Sequence, residues 1–117
     1  MAAATYDFNI EQGVPYSRVL ALKDSEGAVL NLTGYSCRMH IRPYVSSDVI
    51  LVNATSSNGK LIITNSTGLI TISLSEEDTK LLIYSKSVYD LELLDSANKP
   101  IRLLKGNVIV SFEVTRE

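Results

Sequence analysis

Cysteine occurs once, at Cys37, and tryptophan not at all. A single thiol cannot close an intramolecular disulfide, so a domain of this size must be held by its packed core. Six glycines and three prolines in 117 residues are too few for a collagen-like, low-complexity or disordered chain. Charge of one sign is never in large excess: 11 Lys+Arg against 13 Asp+Glu give a net charge of -2, with no basic surplus to neutralise phosphates or anionic lipid. No apolar run approaches the ~20 residues that span a bilayer, and Met1-Ala2-Ala3-Ala4 lacks the basic and apolar regions of a secretory leader. The expectation is folding in a reducing cytoplasm, with no nucleic acid and no membrane as partner. Asn31, Asn53 and Asn65 open Asn-x-Ser/Thr strings, but each sits in turn-like surroundings that call for those residues anyway, so glycosylation is not inferred.

What is present is a globular composition, 45% hydrophobic and 21% charged over 117 residues. That length suits one domain, residues 1–117 with a short arm at 1–4, able to bury roughly two-thirds of its unfolded surface. Val, Ile and Thr are abundant, and apolar positions alternate at period two more often than they recur at 3.6, which indicates strands. Short strands are expected over 5–10, 16–23, 28–30, 36–42, 49–54, 60–64, 69–74, 88–94, 101–104 and 107–115. Turns at Asp24-Ser25-Glu26-Gly27, Asn31-Leu32-Thr33-Gly34, Ser57-Asn58-Gly59, Asn65-Ser66-Thr67-Gly68 and Asp95-Ser96-Ala97-Asn98 separate them. Cys37, Met39 and Ile41 should face inward, as should Ile70, Ile72 and Leu74, Tyr89, Leu91 and Leu93, and Val108, Val110, Phe112 and Val114. Ser75 followed by Glu76, Glu77 and Asp78 is a helix start, a hydroxyl cap with carboxylates in the first turn, and predicts one short helix over 76–83. Short strands with turns every 8–12 residues predict an all-β, immunoglobulin-like antiparallel β-sandwich.

Catalytic chemistry is not found. His40 is the only histidine, and Cys37 lies three residues before it on one expected strand, so the two side chains leave opposite faces and cannot pair. Two Cys/His residues are too few for the usual zinc sites, and the Glu76-Glu77-Asp78 run lacks the spacing of a calcium loop. Neither a phosphate-cradling glycine motif nor a nucleophile elbow is present. No cofactor, no metal and no enzymatic activity are expected.

Charge patterning is more informative. Arg38, His40 and Arg42 form an outward basic stripe; Asp90 and Glu92 form an outward acidic pair. The third and sixth strands of an immunoglobulin-like sandwich are neighbours, which predicts the two stripes side by side on one exposed sheet face. Tyr44 and Tyr84 fall in a loop and at a helix end, where tyrosine serves as an interface anchor; Tyr16 suits surface and core equally. The stretch from Leu69-Ile70-Thr71-Ile72 through Glu77-Asp78-Thr79 to Tyr89 resembles the corner between the fifth and sixth strands of such domains, where a tyrosine bonds back to upstream backbone; Tyr89 is the candidate, at a longer distance from Asp78-Thr79 than in antibody domains.

Several strings in order are Tyr6-Asp7-Phe8 with Ile10-Glu11-Gln12-Gly13, Leu22-Lys23-Asp24-Ser25-Glu26-Gly27, Leu30-Asn31-Leu32-Thr33-Gly34-Tyr35 with Arg38-Met39-His40-Ile41-Arg42, and Val88-Tyr89-Asp90-Leu91-Glu92-Leu93. Together they resemble the N-terminal domain of phage baseplate upper proteins, small tailed-phage virion proteins. The resemblance implies a non-enzymatic sandwich in a virion assembled in the bacterial cytoplasm. Its partners would be other virion structural proteins, bound in multiple symmetric copies. That family usually continues into helical or fibrous receptor-binding segments, whereas Glu117 follows directly on the last expected strand, so a stand-alone tail or baseplate adaptor is the expectation. A capsid decoration (cement) protein is the alternative, and a soluble carbohydrate- or peptide-binding module a third. Aromatic content of 7% speaks against sugar platforms.

Overall fold

Strict alternation at Ser36–Arg42 and Leu69–Leu74 makes two strands that each bury one face, and the rest of the chain pairs around them. The structure, a computed structural model, describes residues 4–23, 26–64 and 68–115. Its elements are β1 (Ala4–Thr5), β2 (Phe8–Glu11), β3 (Tyr16–Ala21), β4 (Ser36–Arg42), β5 (Val52–Thr55), β6 (Leu61–Thr64), β7 (Leu69–Leu74), α1 (Glu76–Lys80), β8 (Lys86–Leu94) and β9 (Pro100–Ser111). The larger sheet has the order β1-β9-β8-β4-β5 with β2 also on β9; the smaller is β3-β7-β6. All pairings are antiparallel except those of β1 and β2, which run parallel to β9. The two sheets partition the strands as an immunoglobulin-like sandwich does, and β4 and β8 are neighbours.

The core lies between the inner faces. Phe8, Met39, Ile41, Leu91 and Val108 from the larger sheet meet Leu61, Ile70, Ile72 and Leu74 from the smaller, while Leu32 and Leu82 close the ends. Phe8, Tyr16 and Tyr89 stack there, with ring centroids 4.6 Å apart for Phe8–Tyr89 and 6.2 Å for Phe8–Tyr16. Tyr16 is half-buried in this cluster, and Arg18 covers the neighbouring Tyr6 ring from 4.7 Å.

Several boundaries differ from expectation, each for a local reason. The helix stops at Lys80 because Leu81 and Leu82 N–H groups close onto Asp78 and Thr79 carbonyls, a tighter turn that drops Leu82 into the core. Residues 28–30 form no named strand: Val29 bridges to Lys23, and Leu30 N–H donates to Leu22 O at 3.1 Å. The strand expected at 49–54 begins at Val52, leaving Val49 and Ile50 exposed in the preceding loop. The two expected terminal strands are one, and it ends at Ser111: Phe112 and Val114, expected inside, are exposed. Parts of the arm at 1–4 and of the turns at 24–27 and 65–68, with Asn65, lie outside the described residues.

Tyr89 also finds a different partner. Its hydroxyl donates to the Tyr6 carbonyl at 2.6 Å, not to the helix region. Burial pushes its pKa well above the usual tyrosine value, with the Asp7 charge adding to the effect. Tyr6 sits at the break between β1 and β2, its N–H donating to Lys105 O at 2.9 Å, while the Asp7 carboxylate accepts from Asn107 N–H at 2.9 Å. This close approach requires Gly106, where a Cβ would collide with the Tyr6 carbonyl. Gly106→Ala should therefore displace the N-terminal strand, read as faster amide exchange over 4–11. Tyr89→Phe should lower stability by about 0.5–1.5 kcal/mol in urea titration.

At the opposite edge of the core, Asp78 ties the helix to the smaller sheet. Its carboxylate accepts from Ser75 N–H at 2.9 Å and from Lys60 Nζ at 2.8 and 2.9 Å, and the Ser75 hydroxyl accepts from Asp78 N–H at 3.2 Å, completing a capping box. Burial works against ionisation here, but hydrogen bonds from Lys60 and Ser75 outweigh it and hold the carboxyl below its ordinary value. A carboxylate whose pKa is lowered on folding stabilises above its unfolded pKa of about 4 and loses that contribution as pH falls through the folded value. Asp78→Asn should cost about 1–3 kcal/mol at pH 7 in chemical denaturation, with the gap to the unmodified protein narrowing at strongly acidic pH.

Candidate interaction surface

The outer face of the larger sheet carries the charged stripes in register. Across β4 and β8, Arg38 stands opposite Glu92 and His40 opposite Asp90, while Arg42 pairs with Val88. On β9 a bulge at Leu91/Glu92 shifts the pairing, so Glu92 faces Arg102 and Asp90 faces Lys105. Arg102 and Lys105 are three apart, a spacing that ordinary alternation would send to opposite faces. The bulge absorbs Leu103, which is buried, and both cations end up on the outside.

These side chains line a groove of about 760 Å³, with Val45 and Val88 at one end. Arg38 Nε donates to Glu92 at 2.7 Å, and Arg102 Nε lies 3.5 Å from the Asp90 carboxylate. Arg42 Nη1 donates to Ser47 O at 2.6 Å, anchoring the 43–51 loop, and its Nη2 lies 3.3 Å from His40 Nδ1. A guanidinium only donates, so a hydrogen bond between the two uses Nδ1 as the acceptor. The expected residues Arg38, His40, Arg42, Asp90 and Glu92 are thus together, joined by Arg102 and Lys105, which the sequence reading missed. Among the described residues that line the groove, Tyr89 is the one Phe, Tyr or Trp side chain, and it is buried, so these residues offer a sugar no exposed aromatic platform.

Tyr44 and Tyr84 lie elsewhere, both exposed at the end of the sandwich where β2, β4, β7 and β9 finish. Among the described residues 15 large hydrophobic side chains are exposed, and ten belong to this end, so the distribution is uneven rather than scattered. Tyr44, Val45, Val49 and Ile50 come from the 43–51 loop; Leu81, Ile83 and Tyr84 from the segment after α1. Val14, Phe112 and Val114 flank them. The loops are fixed by their own polar contacts. Thr79 Oγ1 accepts from Gly13 N–H at 3.0 Å and lies 3.1 Å from Val14 O, while Gln12 bonds Leu82 O at 3.2 Å and accepts from Glu113 N–H at 3.1 Å.

Cys37 is buried, and burial pushes its thiol up to about 11, partly opposed by Ser56. No group of three or more His, Cys, Asp or Glu side chains suited to a metal ion occurs among the described residues, and no helix there is long and apolar enough to cross a membrane.

No protein-family model matches the chain, and no curated protein matches it. The exposed ion pair can be weighed directly. With Arg38 half exposed, solvent screens it, and a double-mutant cycle of Arg38→Ala and Glu92→Ala should return a coupling of a few tenths to ~1 kcal/mol that shrinks with added salt.

Proposed function

We propose that the protein is a non-enzymatic structural component of a tailed-phage virion, an adaptor in the tail or baseplate that joins neighbouring structural proteins. The observation that carries this reading is the uneven surface: ten exposed large hydrophobic side chains gathered at one end of the sandwich, on loops pinned by side-chain hydrogen bonds. A patch of that kind suits burial against another protein. The virion as the setting is supported by the turn strings quoted above, from Tyr6-Asp7-Phe8 through Leu30-Asn31-Leu32-Thr33-Gly34-Tyr35 to Val88-Tyr89-Asp90-Leu91-Glu92-Leu93.

Immunogold electron microscopy tests the reading, using antibody to the purified protein on phage particles from the source culture. Label confined to the tail or its tip is the expected result. Label spread over the head would make the protein a capsid decoration protein instead. Absence of the protein from both intact and dissociated particles would remove the virion reading altogether.

A further inference from the structure

Charge is divided between the two surfaces just described. In the groove Arg38, Arg42, Arg102 and Lys105 outnumber Asp90 and Glu92, an excess of two positive charges on a chain whose net charge is -2. Among the described residues of the apolar end the carboxylates of Glu11, Asp48, Glu76 and Glu77 outnumber the ammonium groups of Lys80 and Lys86 by two, the Lys60–Asp78 pair cancelling. End against end would press two acidic rims together, and groove against groove two cationic ones. End against groove brings opposite signs into contact.

We propose that the acidic, apolar end of one copy docks in the cationic groove of a second copy. The chemistry of the two surfaces matches beyond net charge. The end presents Tyr44, Tyr84 and Phe112, and the groove presents the guanidinium planes and aliphatic stems of Arg38 and Arg102 beside Val88. Aromatic rings pack on such stems and are attracted to the cation above them. The groove, at about 760 Å³, is large enough to take side chains from a loop tip. The contact uses different patches on the two copies, so it is heterologous and repeats. Repeated from copy to copy, such a contact gives a closed ring or a helical array. The proposal stands on this division of charge and goes beyond the virion reading, whose failure would leave it intact.

Sedimentation of the purified full chain over a range of concentrations, at low and high salt, tests it with charge reversals. The unmodified protein should associate at low salt and dissociate as salt rises. Arg102→Glu with Lys105→Glu should weaken association about tenfold or more, and Glu76→Lys with Glu77→Lys should do the same. Mixed in equal amounts, the two variants should associate again, because the unchanged end of one fits the unchanged groove of the other and the reversed end fits the reversed groove. A chain with all four reversals should regain association. Thermal melts close to that of the unmodified protein confirm that each variant is folded. The proposal is overturned by an unmodified protein that stays monomeric at low salt, by association that survives either reversal in a folded variant, or by folded variants whose mixture does not pair.

Discussion

The bulge that takes up Leu103 is the constraint on which the larger sheet depends. Residues three apart on a regular strand face opposite ways, so if the strand ran on through Leu103 without the bulge, either Arg102 or Lys105 would be driven between the sheets, beside Leu91 and Val108. An unpaired charge there would cost several kcal/mol, a large share of the stability of a domain this size. The bulge lets Leu103 turn inward and Arg102 and Lys105 both turn outward. One irregularity thus keeps the core apolar and gives the groove two of the four cations that line it.

β9 also carries the second irregularity that matters. Beyond the bulge it runs parallel to the N-terminal strand with a constant offset, Ala4 to Leu104 through Glu11 to Ser111. Gly106 is the position where the two backbones come too close for a side chain, and the Tyr89 hydroxyl uses that proximity to reach the Tyr6 carbonyl. The pairing covers an edge that would otherwise present free N–H and C=O groups. The N-terminal strand in turn delivers Phe8 and Ile10 to the core. Core, edge and outer face therefore meet on a single strand.

How much of this was legible in the residues follows from where the period stays regular. Ser36–Arg42 was readable to the residue, since Gly34 precedes it, Pro43 follows it, and nothing interrupts the alternation between. The side-by-side basic and acidic stripes followed from that alternation and from sandwich topology. The start of the helix was equally plain from Ser75, but Leu81 and Ile83 continue an apolar pattern that gave no hint of the tightened turn burying Leu82 alone. In β9 the shifted phase and Gly106 together imitate a break, which split one strand into two and hid Arg102 and Lys105. Phe112 and Val114 keep the period of two after their partners have run out, because β2 ends at Glu11 and β8 begins at Lys86. Periodicity reports which face a side chain would take, not whether a neighbouring strand is there to cover it.

The unequal ends of the sandwich have a related cause. An apolar side chain on a loose loop lowers its own exposure by folding back onto the nearest core. Here the loops are not free to do so: Arg42 holds the 43–51 segment through Ser47 O, and Thr79 and Gln12 lock residues 13, 14, 82 and 113 together. The side chains of Tyr44, Val45, Ile83 and Tyr84 are consequently held out from a frame already ordered by polar contacts. A surface ordered before contact loses less conformational entropy when it is covered, so a given apolar area contributes more to association than it would from a flexible loop. The hydrogen bonds that pin this end thus act twice, holding Leu82 at the end of the core and ordering the surface that the end presents for binding.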